Sequence, residues 1–397
     1  MTRHHRTVIV GASRAGLAAA QSLRQSNQDE HVTLIGEERW LPYDRTTLSK
    51  DVLAGLLSAE GAMLCAEEQL DGIDLRLGSR ATALNVAEST VDLDNGSAVQ
   101  FDSLVIATGA TPRRLPGSAG LKGVHVLRTL DDSIGLAEDL AESDHIAIVG
   151  GGFIGAEIAS TATALGRRVT LVEAGPAPMS AVLGTQIGQW SAQLHRSHGV
   201  DVRTDVRVDG ITSRLGRANG LSLSDGSSVA ADLVVMGVGV TPNVGWLAGS
   251  GLHLDNGVMC NDRLRAGPSI YAAGDVACWP NPLFDRTMRI EHWTNASEQG
   301  AAVGRAIATG EYRTFAPVPY VWSDQYNLRF QLYGDVAGAD SVRIVSGSLQ
   351  ETPLVALYGR QDRLVAALGV NAAKDLLKYR RLITQQTSWD DVAAEMV

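Results

Sequence analysis

The chain has 397 residues, 45% of them hydrophobic and 20% charged, a composition ordinary for a globular protein and a length suited to two or three domains. Its formal charge of −10 argues against a general nucleic-acid binder, and no apolar run approaches the roughly 18 residues that a membrane span needs. Three widely separated cysteines, Cys65, Cys260 and Cys278, form neither a CxxC pair nor a metal-ligand set, so no metal is expected and a reducing cytoplasm fits best.

The opening MTRHHRTVIVGASRAG has a charged start, but its apolar run is only Val8-Ile9-Val10 and no small-residue cleavage pattern closes it, so it reads as a first buried strand. That strand, 7–10, leads into GASRAG at 11–16, a helix to about Arg24, and a second strand from His31 to Ile35 ending at Gly36-Glu37. Strand, loop, helix and strand of these lengths make one parallel Rossmann half. Gly11 supplies the tight turn and Gly16 the close helix–strand packing, while the helix N-terminus attracts phosphate. Ser13 stands where a third glycine would let backbone approach a pyrophosphate, so the loop alone is a weak signal. Glu37, placed to accept from ribose hydroxyls, strengthens it.

Residues 75–106 contain short strands divided by the hairpin signal Asn95-Gly96 and close with SLVIATGATPR at 103–113. The Rossmann order then recurs: HIAIVG at 145–150, a helix through 166, and RVTLVE ending at Glu173. Here GGGFIG carries the full fingerprint in Gly150, Gly152 and Gly155. Glu173 favours a ribose 2′-OH and repels a 2′-phosphate. Ala174-Gly175-Pro176 offer no cation, and Arg167 and Arg168 lie roughly 13 Å or more before Glu173 at about 3.3 Å per residue. NADH is therefore the expected nucleotide. A passage matching the first ending, DLVVMGVGVTPN at 232–243, follows a hairpin signal at Asp225-Gly226, and the two endings look like crossings between domains.

SIYAAGDVA at 269–277 gives a strand, a tight turn and Asp275, and EHWTNASEQG at 291–300 opens a helix. From about Val318 strands are expected at Arg329–Tyr333, Ser341–Ser346, Leu354–Tyr358 and Leu364–Val370, then a helix from Asn371 to about Thr384. The fold class expected is α/β, with two Rossmann-like dinucleotide-binding domains and a C-terminal α+β domain. The expected division is 1–110 with 241–317 for FAD, 111–240 for NAD, and 318–397 as the third domain. That third segment holds eight basic against nine acidic residues, so most of the acidity lies elsewhere.

The segment Pro42-Tyr43-Asp44-Arg45-Thr46-Thr47-Leu48-Ser49-Lys50 closely resembles the P-Y-x-R-P-P-L-S-K pattern of NADH-dependent, FAD-containing ferredoxin reductases. These glutathione-reductase-like proteins serve aromatic-ring dioxygenases and bacterial cytochromes P450. GGGFIGAE, EHWTNA, VWSDQY at 321–326 and Arg128-Thr129-Leu130 resemble further motifs of that family, so the likeness spans nearly the whole chain. It implies FAD contacts from Gly11, Ser13, Ala15 and Gly16 in the first loop and from Glu37, Arg45 and Lys50 after it. Ala81, Thr108, Gly109, Arg128, Asp275 and Trp293 are implied as further FAD contacts, with Asp275 on the ribityl chain. For NAD it implies Gly150, Gly152, Phe153, Ile154, Gly155, Glu173 and Gly239. Lys50 and Glu157 are the implied catalytic pair beside flavin N5. Glu157 reads otherwise as a helix N-terminal acid, and Trp293 and Trp322 read equally as core packing. Thr46-Thr47 in place of the family's Pro-Pro is expected to loosen the loop.

Relatives in that superfamily that reduce disulfides or peroxides carry cysteine near the position of Thr46 or Thr47, and nothing between Glu37 and Lys50 is cysteine. The resemblance then implies that hydride from NADH reaches FAD and leaves as single electrons to a separate [2Fe–2S] ferredoxin, since the chain has no cluster ligands of its own. The ferredoxin is expected on the third domain, the reductase as monomer or homodimer, with no nucleic-acid or membrane partner. An NADH oxidase using dioxygen and an NADH-sensing flavoprotein stand as the alternative readings.

Overall fold

The computed structural model describes residues 5–27 and 29–394, which form two compact units. The first unit comprises residues 1–44, 63–111 and 241–321, and the second 45–62, 112–240 and 322–397.

In the first unit, Arg6–Val10 pairs in parallel with His31–Ile35 on one side and Ser103–Ile106 on the other. The full sheet runs Arg265–Gly267, Ile270–Ala272, Ser103–Ile106, Arg6–Val10, His31–Ile35, Ile73–Arg76, all parallel but the first. Its central strands are apolar on both faces, as a helix-covered parallel sheet requires: Ile9, Leu34, Leu104 and Val105 are each fully buried. Gly11 leaves the first strand at φ +119°, and a Cβ there would sit 2.0 Å from the Ala107 carbonyl oxygen, so only glycine makes this turn. The helix Arg14–Ser26 packs on the later helix Trp293–Thr309 through small residues. A Cβ on Gly300 would meet the Ala15 carbonyl oxygen at 2.1 Å, which fixes how closely these two helices run.

The second unit repeats the plan with Asp201–Arg203, Arg168–Val172, His145–Val149, Leu233–Met236 and Val124–Val126 in one parallel sheet. Its core joins Ala147, Val149, Val172, Val234 and Met236 to Leu221 and Leu223 of the antiparallel strand Arg217–Leu223. Residues 322–397 belong to this same unit and supply most of a five-stranded sheet in the order Tyr320–Gln325, Leu328–Gly334, Arg363–Val370, Glu351–Arg360, Ser341–Ser348. The helix Ala373–Thr384 buries Leu376, Tyr379 and Ile383 at helical spacing, each worth about 1.5–3 kcal/mol of apolar burial. The Tyr358 hydroxyl donates to the Leu183 carbonyl at 2.8 Å and so ties this sheet to the half of the unit that carries the parallel sheet.

Four details differ from the sequence expectation. The strand Tyr320–Gln325 and the short helix Trp389–Ala394 carry no sequence signal that separates them from loop. The C-terminal helix starts at Ala373 rather than Asn371, because Asn371 sits at φ +53° and its Oδ1 accepts from the Arg329 amide at 2.8 Å. Residues 45–62, expected within the domain 1–110, group with the second unit. Thr46 and Thr47 lie in the 3-10 turn Arg45–Thr47, with the Thr46 carbonyl held by Lys50. No helix of the described residues is long and apolar enough to cross a membrane.

Candidate functional site

Both glycine loops open onto bare helix N-termini. Ser13 caps Arg14–Ser26 and Gly152 caps Phe153–Ala164, and among the described residues neither provides a side-chain cap. The first amides of each helix are therefore presented to an anion, which a phosphate satisfies with help from the helix dipole. At Gly152 a Cβ would meet nothing within 4 Å, the open space that a pyrophosphate needs. Gly150, at φ +98°, repeats the role of Gly11, since a Cβ there would lie 2.4 Å from the Gly237 carbonyl oxygen. Phe153 and Ile154 begin the helix, and Ile154 is 40% exposed.

Glu173 follows its strand and receives the amides of Gly151 and Gly175 at 2.6 and 2.7 Å. The loop thus holds the carboxylate beside the glycine turn, where it can accept from ribose hydroxyls and repel a 2′-phosphate. Its counterpart Glu37 lies exposed after His31–Ile35. Gly239 is exposed in the passage that follows Leu233–Met236.

In the first unit, Asp275 is buried at 8% exposure just past Ile270–Ala272. Gly274 turns the chain at φ +81°, its amide donates to Gln299 Oε1 at 2.8 Å, and a Cβ there would lie 3.0 Å from the Ala15 Cβ. The AAGD turn therefore faces the start of the first helix. Arg14 stacks over the Trp293 ring at 4.3 Å and donates to the Ser297 hydroxyl at 2.6 Å, so the first loop and the helix Trp293–Thr309 share one cationic link. Burial lowers the Arg14 pKa, opposed by the charge of Asp44. His292, the N-cap of that helix, has its pKa lowered to about 4 by burial, against the pull of the Asp275 carboxylate. Shielded polar atoms gather here without partners among the described residues: Arg14 Nε, His292 Nδ1, Asn295 Oδ1 and Gln299 Nε2. A bound group carrying phosphates, hydroxyls and a heteroaromatic ring would satisfy them, so the residues fit FAD. Thr108 exchanges hydrogen bonds with Asn243, and the Asn243 amide donates to the Gly109 carbonyl at 2.9 Å, which shapes the turn after Ser103–Ile106. Ala81 opens the strand Ala81–Asn85.

Lys50 and Glu157, 107 positions apart, meet in the second unit: Lys50 Nζ lies 2.6 Å from Glu157 Oε2. Both are largely sequestered, with side chains 18% and 7% exposed. Lys50 Nζ also donates to the Thr46 carbonyl at 2.8 Å, and the Ser49 hydroxyl donates to Glu157 Oε2 at 2.5 Å. The segment is anchored by its own carbonyls, Leu48 accepting from Ser133 and Ser49 from Thr161. Arg45 Nη1 donates to the Arg128 carbonyl at 2.6 Å, so these two expected cofactor residues are joined to each other. Trp322 is half-buried under the Arg329 guanidinium. Sequence reasoning missed Arg14, Gln299, Ser49, Ser323 and Gln325; all five lie inside motifs already singled out, which was the available signal.

The three cysteines are free and buried. Burial pushes all three thiols up, Cys260 to about 12, so none is poised as a thiolate.

Residues 5–300 match the family model described as pyridine nucleotide-disulphide oxidoreductase, and residues 320–395 the model described as reductase C-terminal. The chain belongs to the pyridine nucleotide-disulphide oxidoreductases, in the branch that carries this C-terminal domain. It is 33% identical over 395 residues to putidaredoxin reductase CamA of Pseudomonas putida, covering 97% of this chain and 93% of the relative. It is 36% identical over 382 residues to the ferredoxin--NAD(+) reductase component of the anthranilate 1,2-dioxygenase system of Burkholderia cepacia, covering 95% and 93%. Among solved structures it matches the ferredoxin reductase for the CYP199A2 system from Rhodopseudomonas palustris with a TM-score of 0.93, 34% identity and coverage of 97% and 96%. The reductase in the covalent putidaredoxin reductase–putidaredoxin complex matches with a TM-score of 0.92, 32% identity and coverage of 96% and 93%.

Proposed function

We propose that this chain is an NADH:ferredoxin oxidoreductase with FAD as its cofactor, delivering single electrons to a [2Fe–2S] ferredoxin that serves an oxygenase. The observation that carries the reading is the largely sequestered Lys50–Glu157 pair, whose lysine lies in a segment that holds no cysteine, while all three thiols lie buried elsewhere. Thiol chemistry has no group to run on, which separates this chain from the disulfide-reducing members of its family. Relatives matched over 93% of their own length are named as a putidaredoxin reductase and as the ferredoxin--NAD(+) reductase component of a dioxygenase system.

FAD, when bound, supplies an acceptor for the hydride of NADH and an outlet for electrons one at a time. Residues 1–110 and 241–317 hold it, with Gly11, Ser13, Ala15, Gly16 and Arg14 at the phosphates and Asp275 at the ribityl hydroxyls. Glu37, Arg45, Ala81, Thr108, Gly109, Arg128 and Trp293 are the further FAD contacts in this reading. Residues 111–240 take NADH: the amides after Gly152 meet the pyrophosphate, Gly155 gives the helix its close approach, and Glu173 accepts from the adenosine ribose. Lys50 and Glu157 form the charge pair at the hydride step. Residues 318–397 contribute the ferredoxin-docking face. Three free thiols suit a reducing compartment, and we place the enzyme in the cytoplasm.

The test is steady-state partitioning of electrons. Purified flavoprotein is mixed with NADH in air, with and without a [2Fe–2S] ferredoxin, using cytochrome c as terminal acceptor. Slow oxygen consumption and fast ferredoxin-dependent cytochrome c reduction support the reading. Fast oxygen consumption would identify an NADH oxidase, and a long-lived reduced complex with no fast acceptor a sensor.

A further inference from the structure

Glu157 has a third donor that comes from the C-terminal domain. The Ser323 hydroxyl donates to Glu157 Oε1 at 2.7 Å, while Lys50 and Ser49 both converge on Oε2. Ser323 lies on the strand Tyr320–Gln325, where Ser323 and Gln325 are fully buried and Trp322 and Asp324 alternate to the other face. Behind it, Gln325 Nε2 donates to Ser323 Oγ at 3.1 Å. Proton counting fixes the direction of this chain. A serine hydroxyl has one proton, and a carboxylate is acceptor-only, so the proton must go to Glu157. Gln325 must then present its amide nitrogen to the serine, which leaves its Oε1 without a partner among the described residues. The strand is fastened to the same helix face again one turn on, where the Tyr326 amide donates to the Ser160 hydroxyl at 2.5 Å.

We infer that Ser323, oriented by Gln325, is a positioning residue for the hydride step: it holds Glu157 Oε1 so that Oε2 is left facing Lys50. Both carboxylate oxygens are thus assigned, one to the C-terminal strand and one to the ammonium. Without the serine, Oε1 is desolvated and unpaired, and the side chain can turn away from Lys50. The C-terminal domain then has a share in the chemistry as well as in docking. This inference rests on the reading of Lys50 and Glu157 as the charge pair at that step.

The experiment is anaerobic stopped-flow reduction of the FAD-loaded enzyme by NADH, with rate at saturation and apparent NADH affinity read separately. Ser323→Ala is expected to slow reduction at saturation by about tenfold to a hundredfold, the kinetic equivalent of losing a hydrogen bond to a charged group, with affinity little changed. Ser323→Thr, which keeps the hydroxyl, should restore most of the rate. In a Glu157→Gln background, Ser323→Ala should add little, because the two act through one group. Gln325→Met provides a second route should Ser323→Ala lose flavin, and is expected to slow reduction by a smaller factor. If Glu157→Gln slows reduction while Ser323→Ala and Gln325→Met do not, or if their effects simply multiply with it, the inference is overturned and the reading of Glu157 stands. If Glu157→Gln leaves the rate unchanged, both fall.

Discussion

Glu173 is held by two backbone amides of the loop it serves, so its carboxylate acts as a fixed acceptor rather than a mobile surface acid. In the proposed NADH site, replacing it with alanine would remove both an acceptor for the ribose hydroxyls and the repulsion of a 2′-phosphate. Glu173→Ala is expected to lower the ratio of kcat/KM for NADH over NADPH by about tenfold or more, mostly through a higher KM for NADH. Initial rates with both nucleotides check this, and an unchanged ratio would contradict the assignment. His195 makes a different kind of prediction. It is fully buried, with Nδ1 2.7 Å from the Tyr326 hydroxyl, and burial together with nearby His198 lowers its pKa to about 4. The unfolded chain takes up this proton near pH 6.5 and the folded chain only near pH 4. The stability it contributes is therefore present above pH 6.5 and lost as pH falls toward 4, on the order of 3 kcal/mol in all. Denaturant titrations at stepped pH should show His195→Gln losing less stability than the parent across that window. Equal slopes would contradict it.

Among the elements, the crossing of Arg14–Ser26 and Trp293–Thr309 brings the first glycine loop and the AAGD turn together. Gly300 faces a carbonyl oxygen, not a flexible side-chain end, so even one methyl forces the helices apart. Gly300→Ala is expected to destabilise by about 1–3 kcal/mol and to lower FAD retention. Thermal unfolding and the flavin-to-protein absorbance ratio measure both, and full retention with unchanged Tm would contradict this packing. Rossmann strands such as His31–Ile35 and His145–Val149 were legible because β-branched runs end in glycine loops. The strand Tyr320–Gln325 was not, because the residues it turns inward are Ser323 and Gln325, and polar residues on the buried face erase the alternation that marks a strand. Asn371 continued an apparent helical pattern that its left-handed conformation interrupts.

For the whole molecule, the site was legible residue by residue but not as a network. Lys50 and Glu157 stand out in their motifs, yet Ser49, Lys50 and Ser323 converge on one carboxylate from segments more than a hundred positions away. Nothing local in sequence records that convergence. These parts imply one coupling: NADH oxidation at the proposed charge pair feeds an iron–sulfur acceptor rather than a thiol or oxygen. Its most direct test is sequential anaerobic mixing, in which the FAD-loaded enzyme is reduced by one equivalent of NADH and then mixed with an oxidised [2Fe–2S] ferredoxin or with oxygenated buffer. Ferredoxin is expected to reoxidise the flavin rapidly in two single-electron phases, and oxygen far more slowly. Reoxidation by oxygen as fast as by ferredoxin would contradict it.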